Sequence, residues 1–200
     1  MHKQADIQGF WEQVKPSFAH VKLEDHLPDY DELTCTWEQQ WINDIDFVDK
    51  VVVDYGIGAA WLGKYLLESK GIKRYTGVDI ALRSLRSAGA NLREWRNVNL
   101  IHADDFYETF KEPIDVFVSQ ACIQHFPDQQ YLDRFLNRVK LLDPVTIMLQ
   151  IAHHSETVFD PSRVVRACRT NAEYISEKLG RKIQKVSMVE HPKDYCFIIL

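Results

Sequence analysis

An acidic residue followed by a glycine pair is the first feature of the sequence that could take part in chemistry. Residues 51–61 read VVVDYGIGAAW, so Asp54 stands two residues before Gly56, and Gly58 follows. Glycines placed after a strand let a ligand approach the backbone closely. The Walker A pattern of nucleoside triphosphatases is absent, and Trp61 fills the third small position of the dinucleotide fingerprint. A carboxylate at this point repels a pyrophosphate and attracts a cation, which favours a positively charged ligand.

Length and composition indicate one globular domain. The chain has 200 residues, 46% of them hydrophobic, which is enough for a substantial core. Its net charge of -5 argues against a dedicated nucleic-acid-binding protein. No signal peptide pattern and no membrane-length apolar run are evident, so we expect a cytoplasmic protein. The four cysteines are scattered, which predicts reduced thiols and no metal site built from them.

Strand-like and helix-like segments alternate from Lys50 onward. Short β-branched runs predict buried strands, and apolar residues at helical spacing predict the helices between them. The sequence T-N-A-E at 170–173 is a capping box, which predicts that the last helix begins there and runs to about Gly180. The segments KVSMVEH and YCFIIL have no helix between them and are expected to pair antiparallel. The pattern predicts a doubly wound α/β domain with a mostly parallel sheet.

The first 48 residues differ from the rest and are predicted to form an N-terminal helical extension, with the α/β domain covering residues 49–200. They contain three of the five tryptophans, Trp11, Trp37 and Trp41. Trp37 and Trp41 are four residues apart and share one face of a helix. One interpretation is a helical layer packed on the domain by its aromatic face. The other is a lid that also covers a ligand, which makes Trp37 and Trp41 candidates for contact with a substrate.

The stretch D-Y-G-I-G-A-A resembles the first motif of the class I S-adenosylmethionine-dependent methyltransferases, D-x-G-x-G-x-G at the end of the first strand. Ala60 replaces the third glycine. The resemblance covers roughly residues 48 to 200. It implies a seven-stranded, mostly parallel sheet with an antiparallel last strand. It also implies S-adenosyl-L-methionine as the cofactor, bound near Asp54, Gly56 and Gly58.

Acids at the ends of the second and third predicted strands match further family positions. The resemblance implies that Asp79, which ends YTGVD, accepts the ribose hydroxyls and that Ile80 lies against the adenine. The alternative is that Asp79 caps the following helix. In IHADDF, Asp104 is expected to receive the adenine amino group, with Asp105 or a water-facing turn as alternatives. Phe106 is expected to add an apolar contact with the cofactor.

The stretch DVFVSQACIQHFPD resembles the family's fourth motif, in which the fourth strand ends beneath the transferred methyl group. This implies that Ser119 and Gln120 lie at the methionine end of the cofactor. Gln124 and His125 begin the next turn, where many small-molecule methyltransferases carry a histidine. Methyl transfer requires alignment of the nucleophile and, for a hydroxyl or ammonium, removal of a proton. His125 is the candidate base, and a purely structural hydrogen bond is the alternative.

Imidazole and guanidinium groups are the candidates for acceptor binding. His153 and His154 close the fifth predicted strand, at the edge of the sheet that faces the ligand crevice. A metal site formed with Glu156 is an alternative, although adjacent residues of an extended segment point to opposite sides. Three arginines recur every three residues in the connection that often covers the substrate in this family: Arg163, Arg166 and Arg169. On a helix they would share one face, either as a grip for an anionic acceptor or as a solvated surface.

Motifs that are absent narrow the acceptor class. The S-Q-A-C loop at 119–122 differs from the N/D-P-P-Y/F loop used on nucleobase and glutamine amides, and no double-E pair of arginine methyltransferases is evident. SQACIQH resembles phosphoethanolamine methyltransferases, but Ala121 stands where those enzymes carry an acid. We expect a methyltransferase that acts at O or N of a small molecule, with no nucleic-acid or membrane partner. The alternatives are an NAD(P)-dependent oxidoreductase of Rossmann type and a non-catalytic S-adenosylmethionine-binding subunit.

Overall fold

A computed structural model describes residues 2–13, 41–160, 162–163, 167–189 and 195–200. Its strands are β1 (Val51–Tyr55), β2 (Arg74–Asp79), β3 (Val98–His102), β4 (Val116–Ser119), β5 (Thr146–Ala152), β6 (Val158–Phe159), β7 (Cys168–Arg169), β8 (Lys185–Val189) and β9 (Tyr195–Ile199). Its helices are α1 (His2–Gln13), α2 (Trp61–Ser69), α3 (Leu82–Asn91), α4 (Ala103–Glu108), α5 (Gln129–Leu142) and α6 (Ala172–Leu179), and a short 3-10 turn spans Ile123–His125.

Seven of these strands form one sheet in the order β3-β2-β1-β4-β5-β9-β8. All neighbours from β3 to β5 are parallel, and β9 runs antiparallel to both β5 and β8. The predicted fold, a mostly parallel sheet with a reversed last strand, is confirmed. The chain passes from β1 outward to β3 and then returns to place β4 on the other side of β1. Such a reversal leaves a crevice at the carboxyl ends of the strands, where ligands of open α/β sheets bind.

The parallel strands other than β3 are largely buried because helices cover both faces of the sheet, whereas β3, at the edge, is half-buried. One apolar cluster lies on the side of α4, α5 and α6 and includes Phe117 and Phe135. The other lies on the side of α2 and α3 and includes Leu66 and Tyr75. Helix α2 approaches the sheet closely at Gly63, where an added Cβ would lie 2.4 Å from Cζ of Tyr75. This close approach directs the Tyr75 hydroxyl toward the end of β1.

Helix boundaries follow the predicted signals with two differences. Helix α6 begins one residue later than the capping box predicts, because Asn171 accepts a hydrogen bond from Tyr174 N (2.7 Å). Thr170 instead shares a side-chain hydrogen bond of 2.7 Å with Thr157, so the capping prediction for Thr170 is wrong. The segment HADD, predicted as the end of a strand, contains the last residue of β3 and the start of α4.

The described part of the N-terminal extension contacts the domain in two ways. Residues 41–43 are helical, and Trp41 is 2% exposed, with its ring stacked on that of Phe197 at 5.8 Å. Trp41 therefore belongs to the core and does not line a ligand surface, whereas Trp37 lies outside the described residues. Helix α1 packs against α3. None of the helices described is long and apolar enough to cross a lipid bilayer.

Candidate active site

The glycine turn connects β1 to α2 with three backbone positions in the left-handed region. Gly56 has a φ of +85° and donates its N–H to Val78 O at 2.8 Å, and Gly58 has a φ of +52°. Ala60, which replaces the third glycine of the family motif, has a φ of +61°. A glycine is favoured at such a position because it has no Cβ. The turn conformation explains the glycine pattern, and Ala60 adopts the same left-handed conformation at the cost of some backbone strain.

The two glycines face different surroundings. A Cβ added to Gly56 would lie 2.4 Å from Sγ and 2.5 Å from Cβ of Cys122, so this residue packs directly against the loop after β4. A Cβ added to Gly58 would meet no atom within 4 Å in the described structure. The turn is therefore fixed at Gly56 and open at Gly58, where a ligand can approach the backbone.

Asp79 lies beside this open position, at the carboxyl end of β2. Its side chain is 8% exposed and accepts hydrogen bonds from Gly58 N and Ala81 N, both at 2.9 Å. Burial raises the pKa of Asp79, and these backbone N–H groups partly oppose that increase. A carboxylate offers about four acceptor positions, so capacity remains for ligand hydroxyls. The first two backbone N–H groups of α3 donate to Glu12 and not to Asp79, so Asp79 does not cap α3.

Asp54 forms a second buried carboxyl group one strand away. It is 3% exposed and accepts a hydrogen bond of 2.8 Å from the Tyr75 hydroxyl. Burial raises the pKa of Asp54 to about 7, and the charge of Asp79 adds to this effect. Tyr75 could not be recognised from the sequence, because nothing in the local pattern of β2 distinguishes it from a core tyrosine.

His102 joins the loops that carry the predicted adenine-site residues. Its Nδ1 accepts from Asp104 N at 3.3 Å, which leaves Nε2–H to donate to Ile80 O at 2.8 Å. Ile80 is half-buried, and the Asp104 side chain is 53% exposed, as a water-facing turn would be in the free protein. Asp105 is also exposed. Phe106 is 0% exposed and packs inside the core, away from the surface that a cofactor could contact.

The loop after β4 is held by hydrogen bonds to its two neighbouring strands. Ser119 is fully buried and donates its hydroxyl to Tyr55 O at 2.9 Å, so its side chain joins β4 to β1 and has no surface left for a ligand. Ala121 has a φ of +51° and donates its N–H to Gln150 Oε1 at 2.9 Å. Gln120, between them, is 9% exposed.

Helix α1 contacts both sides of the crevice. The Trp11 ring lies edge-on against the half-buried His125 ring, with centroids 5.0 Å apart. The Glu12 carboxylate accepts from Leu82 N at 2.6 Å and Arg83 N at 3.2 Å, the first two residues of α3. Glu12 thus caps α3 from a distant part of the chain. Neither contact has a sequence signal, since Trp11 and His125 are far apart in the chain and Glu12 is 70 and 71 residues from its two partners.

The histidines after β5 have different roles in the free protein. His154 turns back on its own loop, with Nδ1 3.2 Å from Glu156 N and 2.9 Å from Glu156 O. His153 is half-buried, and its backbone bridges to Thr170. The described residues contain no cluster of three or more His, Cys, Asp or Glu side chains that could hold a metal ion.

The described members of the arginine series do not lie on a helix. Strands β6 and β7, on either side of Arg163, form an antiparallel pair. Arg169 is an exposed residue of β7, and Arg163 is 62% exposed and pairs with Asp160 at 3.1 Å. Arg166 lies outside the described residues. The prediction of a shared helix face is therefore wrong for Arg163 and Arg169, because neither residue is helical.

A cluster of phenols lies next to the loop after β4 and was not predicted. The Tyr55 hydroxyl lies 3.3 Å from that of Tyr107 and 3.4 Å from that of Tyr131. The Arg134 guanidinium stands over the Tyr107 ring at 4.0 Å. Burial raises the pKa of Tyr131 to about 12, so this phenol stays protonated at neutral pH. The three hydroxyls come from separate elements, so no local spacing could have indicated their meeting.

Residues 52–144 match the family described as "Methyltransferase domain". No curated protein matches the chain in sequence at a significant level. Among solved structures, the chain is similar to N-methyltransferase NodS from Bradyrhizobium japonicum WM9 in complex with S-adenosyl-L-homocysteine, with a TM-score of 0.72 and 12% identity over 96% of each chain. It is also similar to magnesium protoporphyrin IX methyltransferase (ChlM) from Synechocystis PCC 6803, with a TM-score of 0.71 and 12% identity over 98% of each chain. DhpI in its complex with S-adenosyl-L-homocysteine gives a TM-score of 0.71 and 17% identity over 100% of this chain and 97% of that one.

Residues 52–144 thus match a methyltransferase domain, and the sheet order gives the chain the fold of these solved methyltransferases, which supports a class I S-adenosylmethionine-dependent methyltransferase. The matched segment contains the glycine turn, Asp79 and the loop after β4. The same match removes support from the nicotinamide oxidoreductase alternative.

Proposed function

We propose that the protein transfers a methyl group from S-adenosyl-L-methionine to a hydroxyl or amino group of a small molecule. One observation carries the proposal: the buried Asp79 carboxylate lies at the end of β2, hydrogen-bonded to Gly58 N, beside a position where the described structure leaves open space. This is the arrangement that a ribose and the backbone approach of a nucleoside require.

The residues around this position fit the cofactor. Asp79 accepts the ribose hydroxyls, Ile80 lies against the adenine, and Asp104 receives the adenine amino group, with Asp105 as the alternative. His102 supports both loops through its contacts with Ile80 O and Asp104 N. The bound cofactor supplies a methyl group activated by a positive sulfur. Two buried acids near the glycine turn favour such a cation over a pyrophosphate.

The other end of the crevice is proposed to hold the methionine moiety and the acceptor. Gln120 contacts the methionine end, and His125 removes a proton from an acceptor hydroxyl or ammonium. The half-buried His125 ring beside Trp11 supports this role, because α1 covers the turn and limits access of water. We propose α1 as a lid over this crevice.

A small molecule is the acceptor that these features favour. The absence of nucleobase-specific and arginine-specific motifs supports it. An anionic acceptor has less support, because Arg163 is paired with Asp160 and is largely exposed. Arg169 and His154 stay as proposed acceptor contacts at the rim of the crevice.

Replacing Asp79 with alanine is expected to weaken binding of S-adenosylhomocysteine by about 1.5–3 kcal/mol, because hydrogen bonds to a charged group are lost. Asp79→Asn retains one acceptor oxygen and should lose less affinity. Isothermal titration calorimetry with each purified variant measures both values, and circular dichroism confirms that each is folded. Normal affinity in a folded Asp79→Ala protein would contradict the assignment of the ribose site.

Replacing His125 with asparagine is expected to lower the rate of methyl transfer by roughly 10²–10⁴-fold, the usual contribution of a general base. The affinity for S-adenosylhomocysteine should stay unchanged. The rate is measured by transfer of labelled methyl groups from S-adenosylmethionine to hydroxyl and amine compounds that the parent methylates. Full turnover in the variant would remove His125 from the chemistry, and no transfer by the parent to any compound would favour the non-catalytic alternative.

A further inference from the structure

Some buried polar atoms near the loop after β4 have no hydrogen-bond partner within the described part of the chain. Among them are Oε1 of Gln124, a residue that is only 2% exposed, and Nδ1 of His153. Buried polar atoms of folded proteins are nearly always paired, because an unpaired one keeps the full cost of leaving water. A ligand that supplies the missing partners would remove this cost.

Both atoms belong to the same corner of the sheet. Gln124 is the middle residue of the 3-10 turn, which packs against β5 and β7. His153 directly follows β5, and its backbone bridges to Thr170, which directly follows β7. The unpaired atoms on Trp41 and Thr76 lie elsewhere in the core, one against Phe197 and one in the middle of β2.

The turn that carries Gln124 is held in place from β5. Gln150, on that strand, accepts from Ala121 N at 2.9 Å, and the same strand leads on to His153 three residues later. Within the turn, His125 N donates to Cys122 O at 2.9 Å. Gln124 and His153 are thus attached to one rigid strand, as binding residues must be to select a ligand.

We propose that Gln124 and His153 bind the methyl acceptor and require it to present an O–H or N–H group. This rests on the proposed function of the site. A side-chain carbonyl oxygen can only accept a hydrogen bond, so Gln124 Oε1 selects alcohols, phenols, amines or amides over ethers and tertiary amines. His153 Nδ1 makes the second contact, as donor or acceptor according to its tautomer.

The first test compares one substitution at two glutamines. In Gln124→Leu the unpaired oxygen is removed, so the melting temperature without ligand should equal or exceed that of the parent. Gln150→Leu is the matched control: this residue is also buried, at 6% exposed, but its oxygen is paired with Ala121 N. Its melting temperature should fall. A fall in Gln124→Leu as large as that in Gln150→Leu would overturn the proposal.

The second test uses fragments that differ only by methylation of one donor, phenol with anisole and benzylamine with N,N-dimethylbenzylamine. Binding to the protein saturated with S-adenosylhomocysteine is measured by ligand-observed nuclear magnetic resonance. The parent should prefer the donor-bearing member at least about fivefold, consistent with the cost of an unpaired buried acceptor. The preference should disappear in Gln124→Leu and weaken in His153→Phe, while affinity for S-adenosylhomocysteine stays within twofold.

A parent protein with no preference between paired fragments, or a Gln124→Leu variant that keeps the preference, would overturn the proposal. Failure of S-adenosylhomocysteine to bind the parent would instead contradict the proposed function. The melting temperatures are measured without cofactor, so they test the unpaired oxygen of Gln124 whether or not S-adenosylhomocysteine binds. The two failures are therefore distinguishable.

Discussion

Gly56→Ala is expected to lose both folding stability and cofactor binding. The new Cβ would lie 2.4 Å from the sulfur of Cys122, at a residue whose φ is +85°. Left-handed strain costs about 1–2 kcal/mol, and overpacking typically adds about 1–3 kcal/mol. Urea unfolding should therefore show a loss of several kcal/mol, and titration with S-adenosylhomocysteine should show little binding, because the turn must move away from Cys122.

Gly58→Ala is the matched control for this change. Its φ of +52° also carries strain, but its Cβ meets no described atom within 4 Å, so its stability loss should be only about 1–2 kcal/mol. Its cofactor affinity should nevertheless fall, because the methyl group fills the proposed ligand space. Adding Cys122→Gly to Gly56→Ala removes the contact and should restore part of the stability. If Gly56→Ala alone has the same free energy of unfolding as the parent, the contact with Cys122 does not restrict the side chain at position 56.

Asp54 is expected to make the cofactor-free protein less stable as the pH rises from about 4 to 7. The pKa of Asp54 is 3.8 when unperturbed and about 7 in the folded protein. Below pH 3.8 the carboxyl is protonated in both the folded and the unfolded state, so Asp54 does not lower the free energy of unfolding. Between pH 3.8 and the folded pKa only the unfolded state releases the proton, so the free energy of unfolding falls, and the loss is complete above the folded pKa. The difference corresponds to about 4 kcal/mol. Urea unfolding of the parent and of Asp54→Asn between pH 4 and pH 8 measures it.

Asp54→Asn should remove this pH dependence, because an asparagine oxygen still accepts from the Tyr75 hydroxyl but never ionises. Tyr75→Phe is a second control: loss of the donor that lowers the pKa of Asp54 should extend the stability loss to higher pH and enlarge it. Ionised Asp54 attracts a cation, so the affinity for S-adenosylmethionine should rise through pH 7 more than that for the uncharged thioether of S-adenosylhomocysteine. Equal pH profiles for the parent and Asp54→Asn would contradict the assignment.

The fold was predictable from local patterns. β-branched runs such as VVVDY and apolar residues at helical spacing are sufficient to order the strands and helices, and the missing helix between the last two strands predicts their antiparallel pairing. Local patterns failed where a residue's partner comes from another element. Thr170 looks like a helix cap, but its hydroxyl is bonded to Thr157, so the cap passes to Asn171.

The site was predictable where a motif position fixes the backbone. Gly56 and Gly58 both have positive φ angles, and Asp79 contacts the turn directly. Burial separates two other candidates from the crevice, since Phe106 and Trp41 are aromatic residues that pack in the core. The contacts of Tyr75, His102 and Gln150 with the site could not be predicted, because each joins residues from different strands or loops and depends on the final packing.

The contact between Glu12 and α3 has a consequence for how sequences related to this one can vary. Glu12 bonds to the backbone N–H groups of Leu82 and Arg83, and the Leu82 side chain is 49% exposed. Positions 82 and 83 can therefore change in side chain without losing the contact, whereas a change at Glu12 loses it entirely. Proline is the exception: it is ordinarily well tolerated at the first residue of a helix, but at position 82 it removes the donor. Among homologues that share α1, Glu12 should be retained without a covarying partner.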